Sequence, residues 1–302
     1  MLDYQHIDLP DDEAIDFLGY HIMTPVTDWL SFGIGSYVPV VAGEYGGFMA
    51  FGAILHAEYK IAENLFVDGG LSFGGGGGGK SSTDSIRVSG TGGYAKAYAG
   101  LGYDFGTFKI GANLSRMVFI DSIIDGTNLN VFVSRPLSFG NAPYSVAGER
   151  VTKAGYSSDD GLVGMVSLGA DNYTQIDAVG QYTGPFNVAD LQYSGFLNKN
   201  LYWYYAFGAG YAGMPLYNQA IAGLGAKLSV SPRINLYGQL GIGSGGYAPS
   251  RINTGSGFLV YPKLSAEFMV TDNIGVAGTA GYLIAPDGTS KNTMIGAALN
   301  YH

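Results

Sequence analysis

The chain has no cysteine among its 302 residues. A disulfide framework is therefore excluded, which is compatible with an oxidising periplasm or a cell surface. Charge is scarce as well. Asp, Glu, Lys and Arg together make up 13% of the chain, about half of the ~25% usual in soluble domains. No stretch of about 18 apolar residues is present, so the sequence offers no transmembrane helix. The hydrophobic fraction is nevertheless an ordinary 47%. Net charge is −9, which disfavours nucleic acid as a partner. No secretory leader is read at the start, where Met1 leads at once into the polar, acidic Asp3 to Glu13 region. Met1 is thus expected to stand where a leader has been removed, and His302 to begin an added tag.

What the chain has instead is alternation. From 48 to 61, Met49, Phe51, Ala53, Leu55, Ala57, Tyr59 and Ile61 share one face, while Phe48, Ala50, Gly52, Ile54, His56, Glu58 and Lys60 share the other. After the break Ala62-Glu63-Asn64, Leu65, Val67, Gly69, Leu71 and Phe73 alternate with Phe66, Asp68, Gly70 and Ser72. Successive strand side chains point to opposite faces, so this is a β-hairpin with one apolar and one mostly polar face. The pattern recurs in 90–104, 107–120, 233–245 and 257–270. Short turn signals such as Thr27-Asp28, Glu63-Asn64, Asn198-Lys199-Asn200 and Thr271-Asp272-Asn273 alternate with longer breaks at 74–89, 121–128, 152–161, 244–257 and 285–290. That asymmetry matches barrels with short periplasmic turns and longer extracellular loops.

The expected fold is all-β: one closed antiparallel transmembrane β-barrel of about 14–16 strands. Residues 1–14 are expected to form a polar N-terminal lead-in and 15–302 the barrel. Strands are read at 143–152, 161–171 and 173–183 in the middle of the chain, with Asp171-Asn172-Tyr173 as a candidate turn. A soluble sandwich would alternate too, but its outer face would carry more charge than this Gly-, Ser-, Asn- and Tyr-rich one. The polar face is therefore assigned to the lumen. Its expected lining is His56, Glu58, Lys60, Asp68, Lys96, Asp104, Lys109, Asn113, Lys227, Gln239, Lys263 and Glu267. Aromatics near strand ends, including Tyr59, Phe66, Phe105, Phe108, Tyr202, Trp203, Tyr204, Tyr205, Tyr237, Tyr282 and Tyr301, read as interfacial girdles.

The last strand, Met294-Ile295-Gly296-Ala297-Ala298-Leu299-Asn300-Tyr301, resembles the C-terminal signature of bacterial outer-membrane β-barrels. Gly296, Leu299 and Tyr301 match it. Met294 departs from the usual polar residue, Tyr301 replaces the commoner Phe, and His302 is extra. The resemblance implies residence in the bacterial outer membrane, contact with lipid and lipopolysaccharide, and insertion by the outer-membrane assembly machinery.

Other motifs carry weaker signals. Residues 74–81, six glycines followed by Lys80-Ser81, satisfy the phosphate-loop pattern literally. The polar stretch from Ser82 to Gly90 lacks the helical period such a loop requires. Histidine occurs only at 6, 21, 56 and 302. Barrel lipases use a Ser with a His on the outer wall, and no Ser-His-acid set stands at suitable spacing here. Asp121, Asp125 and the pair Asp159-Asp160 lack EF-hand spacing and read as solvated loop charge. No enzyme activity, metal or cofactor is expected. The leading functional expectation is a porin-like channel for passive passage of small solutes, since barrels of this size can leave an aqueous lumen. The alternative is a structural or partner-binding barrel, in which small lumenal residues (Gly70, Ser72, Gly100, Gly102, Gly111, Gly241) leave room for a polypeptide plug. A barrel lipid hydrolase ranks third.

If the apolar set faces outward, the purified chain will be monodisperse in detergent and will aggregate on its removal. Size-exclusion chromatography decides, and a monodisperse species in plain buffer would contradict the membrane reading.

Overall fold

The computed structural model describes residues 1–78, 86–136, 164–175, 184–213, 217–246 and 252–302. Two closed barrels form from eight consecutive strands each. The first contains β1 (Leu2–Ile7), β2 (Ile15–Pro25), β3 (Leu30–Val38), β4 (Met49–Lys60), β5 (Leu65–Gly77), β6 (Gly93–Asp104), β7 (Lys109–Phe119) and β8 (Asp125–Ser134), with one helical turn, α1 (Ile86–Ser89), before β6. The second contains β9 (Gly164–Gln175), β10 (Phe186–Phe196), β11 (Leu201–Ala212), β12 (Asn218–Ser231), β13 (Ile234–Gly246), β14 (Phe258–Met269), β15 (Ile274–Ile284) and β16 (Lys291–Tyr301). All neighbours are antiparallel. The first barrel closes where Leu2 opposes Val133, the second where Tyr301 opposes Val166.

The all-β, closed, antiparallel architecture is as expected, and sixteen strands lie among the described residues. The expectation of one barrel is corrected to two. The lead-in at 1–14 is corrected with it, because Leu2–Ile7 is the strand that closes the first barrel. Its alternation is regular: Asp3, Gln5 and Ile7 are buried, and Leu2, Tyr4 and His6 are exposed. Asp3 in an inward position made the segment read as solvated. Asp171 to Tyr173 lies inside β9 and makes no turn. The candidate strand 143–152 and the pair Asp159-Asp160 lie outside the described residues.

Most strands run 9 to 14 residues, and about 9–11 tilted residues span a bilayer. Their outer faces are apolar and exposed. Leu71 is 55% accessible, Leu114 65%, Leu240 60% and Ile295 66%. Such side chains on the outside of a closed barrel are suited to hydrocarbon. The connections 26–29, 61–64, 105–108, 197–200 and 270–273 are short and lie at one end. The connections 8–14, 39–48 and 285–290 are longer and lie at the other. Trp29, Tyr59, Phe105 and Tyr301 are exposed at the short-turn end, in keeping with an interfacial girdle. Phe66, Tyr202, Tyr204 and Tyr237 leave that set, because all four point into barrel interiors and are buried.

Replacing Leu114 by Arg, midway along β7, should cost about 2–4 kcal/mol of folding free energy in lipid vesicles. Denaturant titration against the parent chain measures it, and a change below about 0.5 kcal/mol would place Leu114 outside hydrocarbon.

Candidate functional site

The twelve residues expected to line a lumen all lie on inward faces, but they divide between two interiors. His56, Glu58, Lys60, Asp68, Lys96, Asp104, Lys109 and Asn113 belong to the first barrel, and Lys227, Gln239, Lys263 and Glu267 to the second. Seven of them (His56, Asp68, Lys96, Asn113, Gln239, Lys263, Glu267) are buried. Lys60 and Lys109 are more open and pair with Asp104 (3.6 Å) and Glu58 (2.6 Å) near the short-turn mouth.

Inside the first barrel Asp3 of β1 is a buried charge. It binds the Lys96 ammonium of β6 and, at 2.8 Å, the Nε2 of His21 in β2. The Lys96 ammonium also lies 4.8 Å from the centre of the Tyr37 ring. Neighbouring pairs tie further strands together. Asn113 donates to Asp68 at 3.1 Å, Ser115 donates to Gln5 at 2.8 Å, and His56 Nδ1 meets the Tyr98 hydroxyl at 2.9 Å. Buried charge is tolerated only when paired and hydrogen-bonded. The Asp3, Lys96 and His21 cluster meets that demand, and the contacts together join β1, β2, β4, β5, β6 and β7 across the interior.

Inside the second barrel Glu267 of β14 has four partners. Asn235 donates at 2.9 Å, Tyr237 at 2.7 Å and Asn300 at 2.7 Å, and His302 Nε2 lies 2.8 Å away. Lys263 donates to Gln192 at 3.1 Å and lies 3.9 Å from Asp190. Lys227 lies between the Phe196 and Tyr237 rings, 5.7 and 5.9 Å from their centres. The space left among Ser167, Asp171, Gln192, Gln239 and Lys263 is about 30 Å³, room for roughly one water.

Above both polar layers, toward the long-loop end, aromatic rings fill the barrel. In the first, Phe48 lies 5.2 Å from Phe119, Phe17 5.5 Å from Phe48 and Tyr94 5.3 Å from Phe119. In the second, Phe186 lies 5.0 Å from Tyr173 and 4.9 Å from Tyr217. Of the small residues expected to leave room for a plug, Gly102, Gly111 and Gly241 are covered by rings from nearby strands, while Gly100 lies against Asn113. A Cβ on Gly102 would meet Phe66 at 2.1 Å, one on Gly111 would meet Phe132 at 2.4 Å, and one on Gly241 would meet the Tyr204 hydroxyl at 2.2 Å. The space the glycines offer is thus taken by the chain's own aromatics, which corrects the expectation of an enclosed partner.

The two barrels touch along β2–β4 and β11–β12. Tyr20 stacks on Tyr205 at 3.9 Å, whose hydroxyl meets Ser36 at 3.1 Å. Phe51 meets Phe207 edge-on at 5.1 Å, and Val38, Met49 and Ala220 are buried between. The long loops join as well. Gly46 donates to the Gly255 carbonyl at 3.1 Å, and Ser256 donates to that of Val40 at 3.2 Å. An added Cβ on Gly46 would meet the Gly257 Cα at 2.6 Å, so only glycine allows this approach. The loop at 39–42 is held by the buried Asp16 carboxylate, which accepts from the amides of Val40, Val41 and Ala42 at 3.1–3.2 Å. Burial, with Asp12 and Glu13 nearby, raises the Tyr45 phenol above its usual range in this loop.

The remaining motifs resolve simply. Gly74 to Gly77 belong to β5 and pair with β4, so their amides serve the sheet; Gly79, Lys80 and Ser81 lie outside the described residues. Asp121 occupies a turn with φ +57°, and Asp125 pairs with Arg116 at 3.1 Å. His21 and His56 face the interior beside Asp3 and Tyr98, away from the outer wall that a barrel lipase uses. Gly296 points inward in β16, while Leu299 and Tyr301 are exposed outward. Asp3 and Asp171 were missed as interior groups, and Asp16 as a buried carboxylate that holds a loop. A usable signal existed in Tyr94-Ala95-Lys96 and Tyr261-Pro262-Lys263, which occupy the sixth strand of each barrel and place a buried Lys two residues after a buried Tyr.

Closed antiparallel barrels with an apolar outer wall, short turns at one end and longer loops at the other define the class that spans the bacterial outer membrane. No family model and no curated sequence matches the chain. Among solved structures, Neisserial surface protein A is similar at 10% identity over 46% of this chain and 97% of its own, TM-score 0.34. Ail of Yersinia pestis is similar at 15% identity over 46% of this chain and 100% of its own, TM-score 0.31. KdgM porin aligns with 100% of this chain and 98% of its own at 7% identity, TM-score 0.22. At such scores the functional reading rests on the chain's own geometry.

Replacing Lys96 by Met leaves Asp3 buried beside His21 alone, and should cost about 3–5 kcal/mol. The double variant with Asp3→Asn should recover part of that loss, because no uncompensated charge then remains. Unfolding in detergent of the two single variants and the double variant measures the coupling; strictly additive losses would contradict the pairing.

Proposed function

We propose that this chain is an outer-membrane anchor: two filled barrels, side by side, that hold one joined loop surface on the outer side of the membrane. The observation that carries the reading is the aromatic layer across each barrel, formed by Phe17, Phe48, Tyr94 and Phe119 in one and by Tyr173, Phe186 and Tyr217 in the other. Eight strands enclose an interior that side chains can fill, and in both barrels polar groups beneath those rings pair with one another, as around Asp3 and around Glu267. A conduit for small solutes would need a continuous wet path, and the rings stand across it. Recognition by a partner is then a matter for the loops, which meet across the seam through Gly46 with Gly255 and Val40 with Ser256. The first barrel's share of that surface carries Asp8, Asp11, Asp12, Glu13, Glu44 and Asp121, so it suits a cationic or cation-bridged partner better than a polyanion. Insertion by the outer-membrane assembly machinery, with Gly296, Leu299 and Tyr301 as the recognised strand, belongs to the same proposal. No catalytic role is part of it.

Reconstituted into planar bilayers, the parent chain should give no stepwise conductance. The double variant Phe48→Ala and Phe119→Ala, which thins the ring layer of the first barrel, should give steps. Reproducible steps from the parent chain would favour solute passage instead.

A further inference from the structure

The barrels meet closely only over part of their height. Below the stacked Tyr20 and Tyr205, toward the short-turn end, the walls part and leave a cavity of about 630 Å³. Its lining comes from both barrels: Met1, Leu2, Tyr20, Thr107, Phe108 and Val133 on one side and Trp203 on the other. Apart from the chain's amino terminus, the Tyr20 and Thr107 hydroxyls and the Trp203 indole nitrogen, the side chains there are apolar. The rim carries Ser134 and the exposed Arg135, at the end of β8. This depth corresponds to the headgroup level of the periplasmic leaflet, where aromatic rings and an arginine sit well together.

We infer that this notch is a binding site for one anionic glycerophospholipid of the inner leaflet, with an acyl chain against Leu2, Val133 and Trp203 and the phosphate at Arg135. The inference rests on the membrane reading above. Three features support it. About 150 Å³ holds a benzene-sized guest, so the notch has space for an acyl chain and the start of its glycerol end. A guanidinium matches phosphate through two parallel hydrogen bonds. The wall opposite the guanidinium is greasy and aromatic, which an acyl chain covers and a soluble anion would not. Bound there, the lipid would fill the seam between the described parts of the two walls and would hold the barrels at a fixed spacing.

The chain has only two tryptophans, which permits a direct test. With Trp29→Phe as background, Trp203 is the sole reporter. Vesicles of phosphatidylcholine would receive increasing fractions of phosphatidylglycerol with brominated acyl chains, which quench tryptophan on contact. Trp203 should be quenched at least threefold more than the bulk fraction of brominated lipid accounts for. Arg135→Gln should bring quenching back to the bulk value, and Val133→Phe, which fills the notch, should lower it while leaving insertion intact. Quenching of Trp203 that tracks the bulk fraction, or an excess that survives Arg135→Gln, overturns the site. A chain that does not insert into the vesicles at all overturns the membrane reading itself, and the two failures are thereby separated.

Discussion

Hydrocarbon offers no hydrogen bonds to a backbone, and each unsatisfied amide or carbonyl there costs several kcal/mol. A sheet inside a bilayer must therefore have no edges. This constraint decides how sixteen strands are used here. β1 is short, at six residues, yet it closes the first barrel by pairing with both β2 and β8. β16 does the same for β15 and β9. With each ring complete at eight strands, no free edge remains to bring the rings into one larger circle. The barrels meet instead through side chains, Tyr20 on Tyr205 and Phe51 on Phe207, and through loop contacts.

Closure at eight strands then dictates the interior. A cylinder this narrow has to be packed, and the chain packs it with rings laid over glycines. Phe66 over Gly102, Phe132 over Gly111 and Tyr204 over Gly241 are the same device on different strands. Polar residues are admitted where they satisfy one another, as around Asp3 and around Glu267. Interior charge in this chain therefore serves to hold strands together, which is a different task from selecting ions.

Strand positions, faces and the long-loop asymmetry were legible because a period of two is a local property of the chain. Of the twelve residues that alternation assigned to the inner face, seven are buried. Strand partnership is not local. Nothing in Leu2–Ile7 announces that it pairs with β8, more than a hundred residues away, and an inward Asp3 resembles a solvated one until Lys96 is seen beside it. One strand mistaken for a lead-in left seven of the first barrel's eight strands, and a further strand read at 143–152 hid where that ring ends. Glycine on the inner face was legible too, but whether it leaves space or receives a ring depends on the neighbouring strand. The direction of Tyr202, Tyr204 and Tyr237 followed from alternation, and was obscured by the habit of placing strand-end aromatics at the interface.

The central claim is that the chain closes twice. It lacks cysteine, so introduced pairs report strand contact without background. In lipid, cysteines at Leu2 and Val133 should cross-link efficiently, as should cysteines at Val166 and Tyr301, the opposed residues of the two closures. A single sixteen-strand ring would instead bring β1 beside β16, and efficient cross-linking of Leu2→Cys to Tyr301→Cys would contradict the account.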